Sequence, residues 1–173
     1  MKYCPQCGSP LIQLPLSGRD RLACPDPRCG FVHWNNPVPV VAAIVEHAGD
    51  VILIQNVGWP AHWFGLVTGF LESGEMPEEA VLREVEEEIG LKAELQSYVG
   101  MYEFYRSNQL LIAYHVTVDS HDVDLCKHEI AASKWVSIDT ITPWTAGTGK
   151  ALRDWLRLRG IEREMADFDR VDN

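Results

Sequence analysis

A chain of 173 residues can bury one medium-sized core with a small module beside it, and 46% apolar content places it among globular chains rather than disordered ones. The formal net charge of -10 argues against a general affinity for nucleic acid or anionic membranes, while leaving room for an anionic substrate accompanied by metal. No apolar run approaches a membrane span, and the start, MKYCPQC, lacks an apolar signal segment, so the expectation is an intracellular, cytoplasmic protein.

In chain order, the first feature is a pair of cysteine turns. Cys4-Pro5-Gln6-Cys7-Gly8 and Cys24-Pro25-Asp26-Pro27-Arg28-Cys29-Gly30 are separated by sixteen residues. A tight turn with glycine after its second cysteine lets backbone N–H groups point at thiolates, and two such turns make a closed Cys4 site for a structural Zn²⁺. A stretch of some thirty residues with few large apolar side chains needs such a staple. The second pair has four intervening residues rather than two, and disulfides or unrelated buried thiols are the other readings. Cys126 is distant and reads as a buried or loop thiol, and His33 as a packing residue.

Asn35-Asn36-Pro37 reads as a turn and a boundary. This divides the chain into a zinc ribbon at 1–35, a larger domain at 36–160 and an acidic, flexible tail at 161–173. Val38 to Val45 is a strongly apolar strand, joined through Ala48-Gly49-Asp50 to a second strand at Val51–Gln55. Further strands are expected near 93–105, 110–118 and 134–137. A closing helix over 149–159 should turn Leu152, Trp155, Leu156 and Leu158 inward. Strands mixed with two helices imply an α/β (α+β) fold with a mixed sheet between helices.

The first of those helices is predicted over 77–89. Pro77 suits the first helical position, Glu78 and Glu79 suit the positive end of the dipole, and Gly90 suits the stop. At about 100° per residue, Glu84, Glu87 and Glu88 share one face, while Leu82, Val85 and Ile89 take the opposite side and seat the helix on a core. The partners four residues on from the three glutamates are Glu88, Leu91 and Lys92, so mutual repulsion is mostly unrelieved. One reading is a solvated acidic helix. The other is a hard divalent cation held by the carboxylate oxygens.

The whole stretch, GFLESGEMPEEAVLREVEEEIGL from Gly69 to Leu91, decides between them. It fits the Nudix box, G-x5-E-x7-R-E-U-x-E-E-x-G-U with U apolar, at nine defined positions over twenty-three residues. By resemblance, Glu84, Glu87 and Glu88 would bind Mg²⁺ or Mn²⁺ with the Gly69 carbonyl as a further ligand, and Glu87 or Glu88 would act on the attacking water. The same resemblance gives Glu75 and Arg83 a structural ion pair and implies an α/β/α sandwich. Met76 stands where a Ser or Thr cap is common, which weakens the helix start but removes no ligand.

The ribbon followed by the box resembles the NADH pyrophosphatase group and related zinc-ribbon Nudix hydrolases, over residues 4 to about 159. In that subgroup a further carboxylate comes from an E-I-x-x-A-x-W pattern. Glu129-Ile130-Ala131-Ala132-Ser133-Lys134-Trp135 matches it, with Ser for the last Ala, and marks Glu129 as a distal metal ligand or base; the plain alternative is an exposed loop glutamate. The subgroup's S-Q-P-W-P-F-P-x-S signature is missing: Met101-Tyr102-Glu103-Phe104-Tyr105-Arg106-Ser107-Asn108-Gln109 stands in its place. Phe104 and Tyr105 retain aromatic surface for stacking a base, and Arg106 is either a phosphate partner or a surface arginine. Trp59, Trp63 and Phe64 offer a second aromatic set, for a base pocket or for packing. The NADH enzymes also carry a further N-terminal domain, for which 173 residues leave no room.

The resemblance implies metal-dependent hydrolysis of a nucleoside diphosphate linked to another moiety, such as an NADH or NAD-type dinucleotide, ADP-ribose or FAD, releasing phosphomonoesters. It also implies a homodimer; the net charge and the lack of a spanning run lead to the expectation of no membrane partner and no nucleic acid except as a capped RNA end. The alternative is a non-catalytic protein in which the fold senses a nucleotide and the ribbon contacts a partner. Such proteins often lose box carboxylates, and this chain retains them all.

Overall fold

The computed structural model describes residues 1–168 and divides the chain into two compact units, Met1–Asn36 and Pro37–Asn173. In the first unit, strands β1 (Ile12–Leu16), β2 (Arg19–Ala23) and β3 (Val32–His33) form an antiparallel sheet in that order. Ser17 and Gly18, with φ of 52° and 77°, make the two-residue turn between β1 and β2, the conformation whose twist matches a hairpin. The buried side chains here are Cys4, Ala23 and Cys24, so two of the three are thiols and the apolar core is minimal.

The second unit contains β4 (Val38–His47), β5 (Asp50–Asn56), β6 (Val67–Phe70), α1 (Pro77–Ile89), β7 (Glu94–Phe104), β8 (Gln109–Thr117), β9 (Ile130–Ser137) and α2 (Gly149–Leu158). The sheet order is β7-β8-β4-β5-β9, with β6 also paired to β4. The β4–β8 pairing is parallel and the others are antiparallel, which makes the sheet mixed. Ala48 and Gly49 close the β4–β5 hairpin with φ of 49° and 87°.

Strand β4 reads as a continuous apolar run because both of its faces are covered. Val41, Ala43 and Val45 pack with Ile52, Ile54 and the α1 residues Ala80, Val81, Val85 and Ile89. Ile44 packs with Val51, Leu53 and the α2 residues Leu152, Trp155 and Leu156, while Val40 and Ala42 meet Ala151. The result is an α/β/α sandwich with one helix on each face.

Helix α1 runs over the residues that its pattern predicts. Met76 has no oxygen with which to cap it, but its own N–H donates to the Glu79 carboxylate at 3.2 Å, and Pro77 follows. At the other end Gly90 takes φ 72°, and its N–H donates to the Glu86 carbonyl at 3.0 Å. The Asp124 and Cys126 N–H groups then donate to the Ile89 and Glu88 carbonyls, each at 3.0 Å. The helix's end carbonyls thereby dock the loop that leads into β9. Cys126 serves this junction through its backbone, since its carbonyl also accepts from the Glu129 and Ile130 N–H groups.

In the second unit the structure departs from the sequence expectations in four places. Strand β6 has no counterpart among them; at four residues, one of them glycine, it carries too little periodicity to read. Strand β9 begins at Ile130 rather than Lys134, because it pairs with β5 along its length. Leu158 is 74% exposed at the last position of α2 rather than turned inward. Residues 161–168 are not a solvated tail: Ile161 and Phe168 pack on the α2-side core, and Ala166 exchanges backbone bonds with Pro143 and Thr145 at 2.9 and 3.0 Å. The acidic composition around them hides these apolar anchors; residues 169–173 lie outside the described residues.

A Cβ at position 90 would lie 2.9 Å from both the Cβ and the carbonyl oxygen of Asp124, in a backbone conformation that L residues disfavour. Gly90→Ala is expected to lower unfolding stability by about 1–3 kcal/mol in urea titrations. A change within a few tenths of wild type would contradict a tight Gly90–Asp124 junction.

Candidate functional site

The acidic face of α1 lies beside β6, and the contact is unusually close. A Cβ built on Gly69 would lie 1.7 Å from the Glu84 carboxyl carbon and about 2 Å from both of its oxygens. The carboxylate occupies the hollow that a side chain at 69 would fill. Burial holds the Glu84 carboxyl above its usual range, against the opposing pull of Arg83, and the Glu87 and Glu129 charges push the same way as burial.

Glu88 is more deeply placed, at 3% exposure. Burial first, then the Glu84 and Glu129 charges, pushes its carboxyl up to about 8, while the Thr68 backbone acts in the opposite direction. Its Oε2 is buried and has no hydrogen-bond partner among the described residues. An orphaned carboxylate oxygen among like charges is costly. Glu87, by contrast, has a side chain that is 61% exposed.

Arg83 organises the polar edge of this cluster. Its Nε and Nη2 donate to the two Glu75 oxygens at 2.7 and 3.0 Å, a bidentate pair. Its Nη1 donates to Glu84 Oε1 at 2.7 Å and to Glu87 Oε2 at 2.9 Å. Nη2 also reaches the Phe70 carbonyl at 3.1 Å, and the Glu72 N–H donates to Glu75 Oε2 at 3.2 Å. The loop before α1 is thus clamped to the helix by one guanidinium.

Glu129 acts on this group from a loop forty residues beyond α1. It is exposed, on the turn before β9, and its carbonyl accepts from the Val57 N–H at 2.7 Å. Its charge acts on both Glu84 and Glu88. The donor set is therefore all oxygen, anionic and short of cations, with a buried oxygen unpaired and a side-chain-free hollow at Gly69. These features suit a hard divalent cation.

The first unit holds a second cluster. The Sγ atoms of Cys4, Cys7, Cys24 and Cys29 all lie within 4.8 Å of one another, and all four thiols are free. Cys7 and Cys24 sulfurs are 3.4 Å apart, and those of Cys4 and Cys29 are 3.5 Å apart. These separations exceed an S–S bond of about 2.05 Å and approach the edge of about 3.8 Å in a tetrahedron of 2.3 Å metal–sulfur bonds. Gly8 and Gly30, at φ 74° and 69°, close the two turns. Ser9 contacts draw the Cys7 thiol down to about 6, while desolvation pushes Cys24 up to about 12.

The aromatic candidates do not form one pocket. Phe64 packs against the α2-side core with the Lys134 ammonium 4.0 Å over its ring. Trp59 and Trp63 lie with ring centroids 6.2 Å apart, and Phe168 joins them, 5.1 Å from Trp63. Phe104 packs against a different cluster, with Tyr102, Ala113 and Ala151. Tyr105 is 86% exposed and Arg106 is exposed beside it, in a single 3-10 turn over Tyr105–Ser107. Sequence reasoning missed Thr68, the Phe70 carbonyl and Phe168. The first two act through the backbone, which leaves no compositional signal, and the third is a lone aromatic in an acidic stretch.

Residues 36–156 match the model of the NUDIX domain family. Among curated proteins, the chain is similar to the NAD-capped RNA hydrolase NudC of Pseudomonas aeruginosa, at 25% identity over 146 residues, covering 84% of this chain and 51% of that one. It is 30% identical over 144 residues to the mouse NAD(P)H pyrophosphatase NUDT13, mitochondrial, covering 82% of this chain and 40% of that one. The chain thus spans about half the length of the curated relatives it matches, or less. Among solved structures, a NUDIX hydrolase from Nitrosomonas europaea superposes with a TM-score of 0.76 at 23% identity, covering 96% of this chain and 97% of that one. An ADP-ribose pyrophosphatase from Streptococcus suis superposes at 0.59 with 20% identity, over 75% of this chain and 98% of that one. No helix among the described residues is long and apolar enough to cross a membrane.

Gly69→Ala places a methyl group where the Glu84 carboxylate sits. The variant is expected to bind Mn²⁺ about tenfold or more weakly in calorimetric titration, because the Glu84 carboxylate is displaced while its charge is kept. Unchanged affinity would separate Glu84 from cation binding.

Proposed function

The chain belongs to the NUDIX family, and on that premise we propose that it hydrolyses a nucleoside diphosphate linked to a second moiety, of the NADH or NAD type, ADP-ribose or FAD. The observation that carries this reading is Glu88, buried with an unpartnered oxygen among Glu84, Glu87 and Glu129. The printed activities of the curated relatives, on NAD-capped RNA and on NAD(P)H, support the same class of bond. Retention of every box carboxylate favours turnover over mere sensing.

Glu84, Glu87, Glu88 and Glu129, with the Gly69 carbonyl, are the residues that would hold Mg²⁺ or Mn²⁺. When bound, the metal supplies charge neutralisation for the diphosphate and a lowered pKa for coordinated water. Arg83 fixes Glu84 and Glu87 through separate hydrogen bonds from one nitrogen, and Glu75 fixes Arg83. The proton of the attacking water passes to a carboxylate of the set Glu87, Glu88 and Glu129. Two of these, Glu87 and Glu129, are open to solvent, and Glu88 is enclosed. Water adds across the P–O–P bridge, so both products leave as phosphomonoesters; from NADH they would be NMNH and AMP. The Cys4, Cys7, Cys24 and Cys29 cluster would hold a structural Zn²⁺.

The substrate is read by incubating the protein with NADH, NAD⁺, NAD-capped RNA, FAD, ADP-ribose, dinucleoside polyphosphates and dNTPs, with Mg²⁺ or Mn²⁺, and separating the products. On the best substrate, Glu87→Gln is expected to lower kcat by about 10²-fold or more; wild-type activity would remove Glu87 from its role. Metal analysis is expected to find one zinc per chain, and Cys7→Ser to lose it together with the folded first unit. A zinc-free wild-type protein that remains folded would refute the ribbon assignment.

A further inference from the structure

The charge of this protein is strongly segregated. Met1–Asn36 carries four basic residues, Lys2, Arg19, Arg21 and Arg28, against two acidic ones, Asp20 and Asp26. Pro37–Asn173 therefore carries eleven basic residues against twenty-three acidic ones. The whole-chain value of -10 conceals one basic unit and one acidic unit.

The basic residues of the module are arranged on its sheet. Cross-strand pairing places Leu14 opposite Arg21 and Leu16 opposite Arg19, so these four side chains share one face. Trp34 joins them: the Arg21 guanidinium lies 4.8 Å over its ring and donates to its carbonyl. Trp34 is nevertheless 48% exposed, and Arg19 is exposed. No carboxylate among the described residues is ion-paired with Arg19 or Arg21, whereas Arg28 is paired with Asp26 at 3.3 Å. An exposed indole beside uncompensated guanidinium groups offers a stacking plane and phosphate contacts together.

We propose that this face of the first unit binds single-stranded nucleic acid, with RNA as the occupant. A phosphodiester chain complements it in charge, and an unpaired base complements the exposed surface of the indole. An acidic protein segment would match the charge but would leave Trp34 without a flat partner. The inference rests on the proposed hydrolase reading only for its second readout, the cleavage of a capped RNA.

The test uses the full zinc-loaded chain. Binding of an uncapped, fluorescently labelled single-stranded RNA is followed by anisotropy across a salt series, with single-stranded DNA of the same sequence and duplex RNA alongside. Single-stranded RNA is expected to bind more tightly than the duplex, and DNA no more tightly than RNA. Arg19→Ala should flatten the slope of log affinity against log salt by about 0.7. Trp34→Ala should weaken binding about fivefold or more, and Trp34→Phe should restore most of it, with zinc content checked in each variant. In the second readout, Arg19→Ala should lower kcat/KM on NAD-capped RNA and leave that on the free dinucleotide unchanged. No RNA binding at low salt, equal binding by the duplex, or binding indifferent to both Arg19→Ala and Trp34→Ala would overturn the proposal. A chain that binds RNA but cuts none of the substrates would overturn the hydrolase reading and leave this one standing.

Discussion

The second unit turns on the close approach of α1 to β6. A helix that brings Glu84 and Glu88 against a sheet must bury like charges together, and it can do so only where the facing strand has no side chain. Gly69 provides that opening. Apolar contacts from Ala80, Val81, Val85 and Ile89 to the sheet hold the helix down. Each such side chain contributes on the order of 1.5–3 kcal/mol when fully buried, so the packing face can oppose the electrostatic cost of the face beside it. Arg83 limits that cost further by joining three carboxylates at the rim. Packing, clamp and hollow are three parts of one solution to the same repulsion.

How much of this can be read from sequence depends on which groups do the work. The extent of α1 follows from Pro77, Gly90 and the spacing of Val85 and Ile89, because these are local and periodic. Glu129 follows from a short pattern, yet the charge it exerts on Glu84 and Glu88 depends on tertiary structure, in which backbone bonds hold its loop to the end of α1. Strand β6, the Phe70 carbonyl and the Thr68 backbone leave no trace in side-chain pattern. Phe168 and Ile161 show the opposite failure, since their acidic neighbours suggest a tail while two apolar side chains anchor the segment. The aromatic candidates were legible as residue types but not as a site: Phe64 and Phe104 belong to separate clusters on the α2 side.

The two units reach stability by different means. In the larger one, β4 is covered on both faces by helices, and burial is extensive and apolar. In the smaller one, the most buried positions include Cys4 and Cys24, and the sheet has only short strands. On the proposed zinc assignment, a unit so poor in apolar core takes its order from the sulfur cluster.

The docking of Asp124 and Cys126 on the carbonyls of Ile89 and Glu88 has a thermal consequence. Helix ends fray first, and here the final turn of α1 is also the anchorage for the segment that carries Glu129. Loosening that turn would release Glu129 from the other carboxylates while the sheet beneath remained intact. On the role proposed for Glu129, heat inactivation would then precede global melting, and a protein that still scattered and absorbed like its native form would already have lost its far carboxylate.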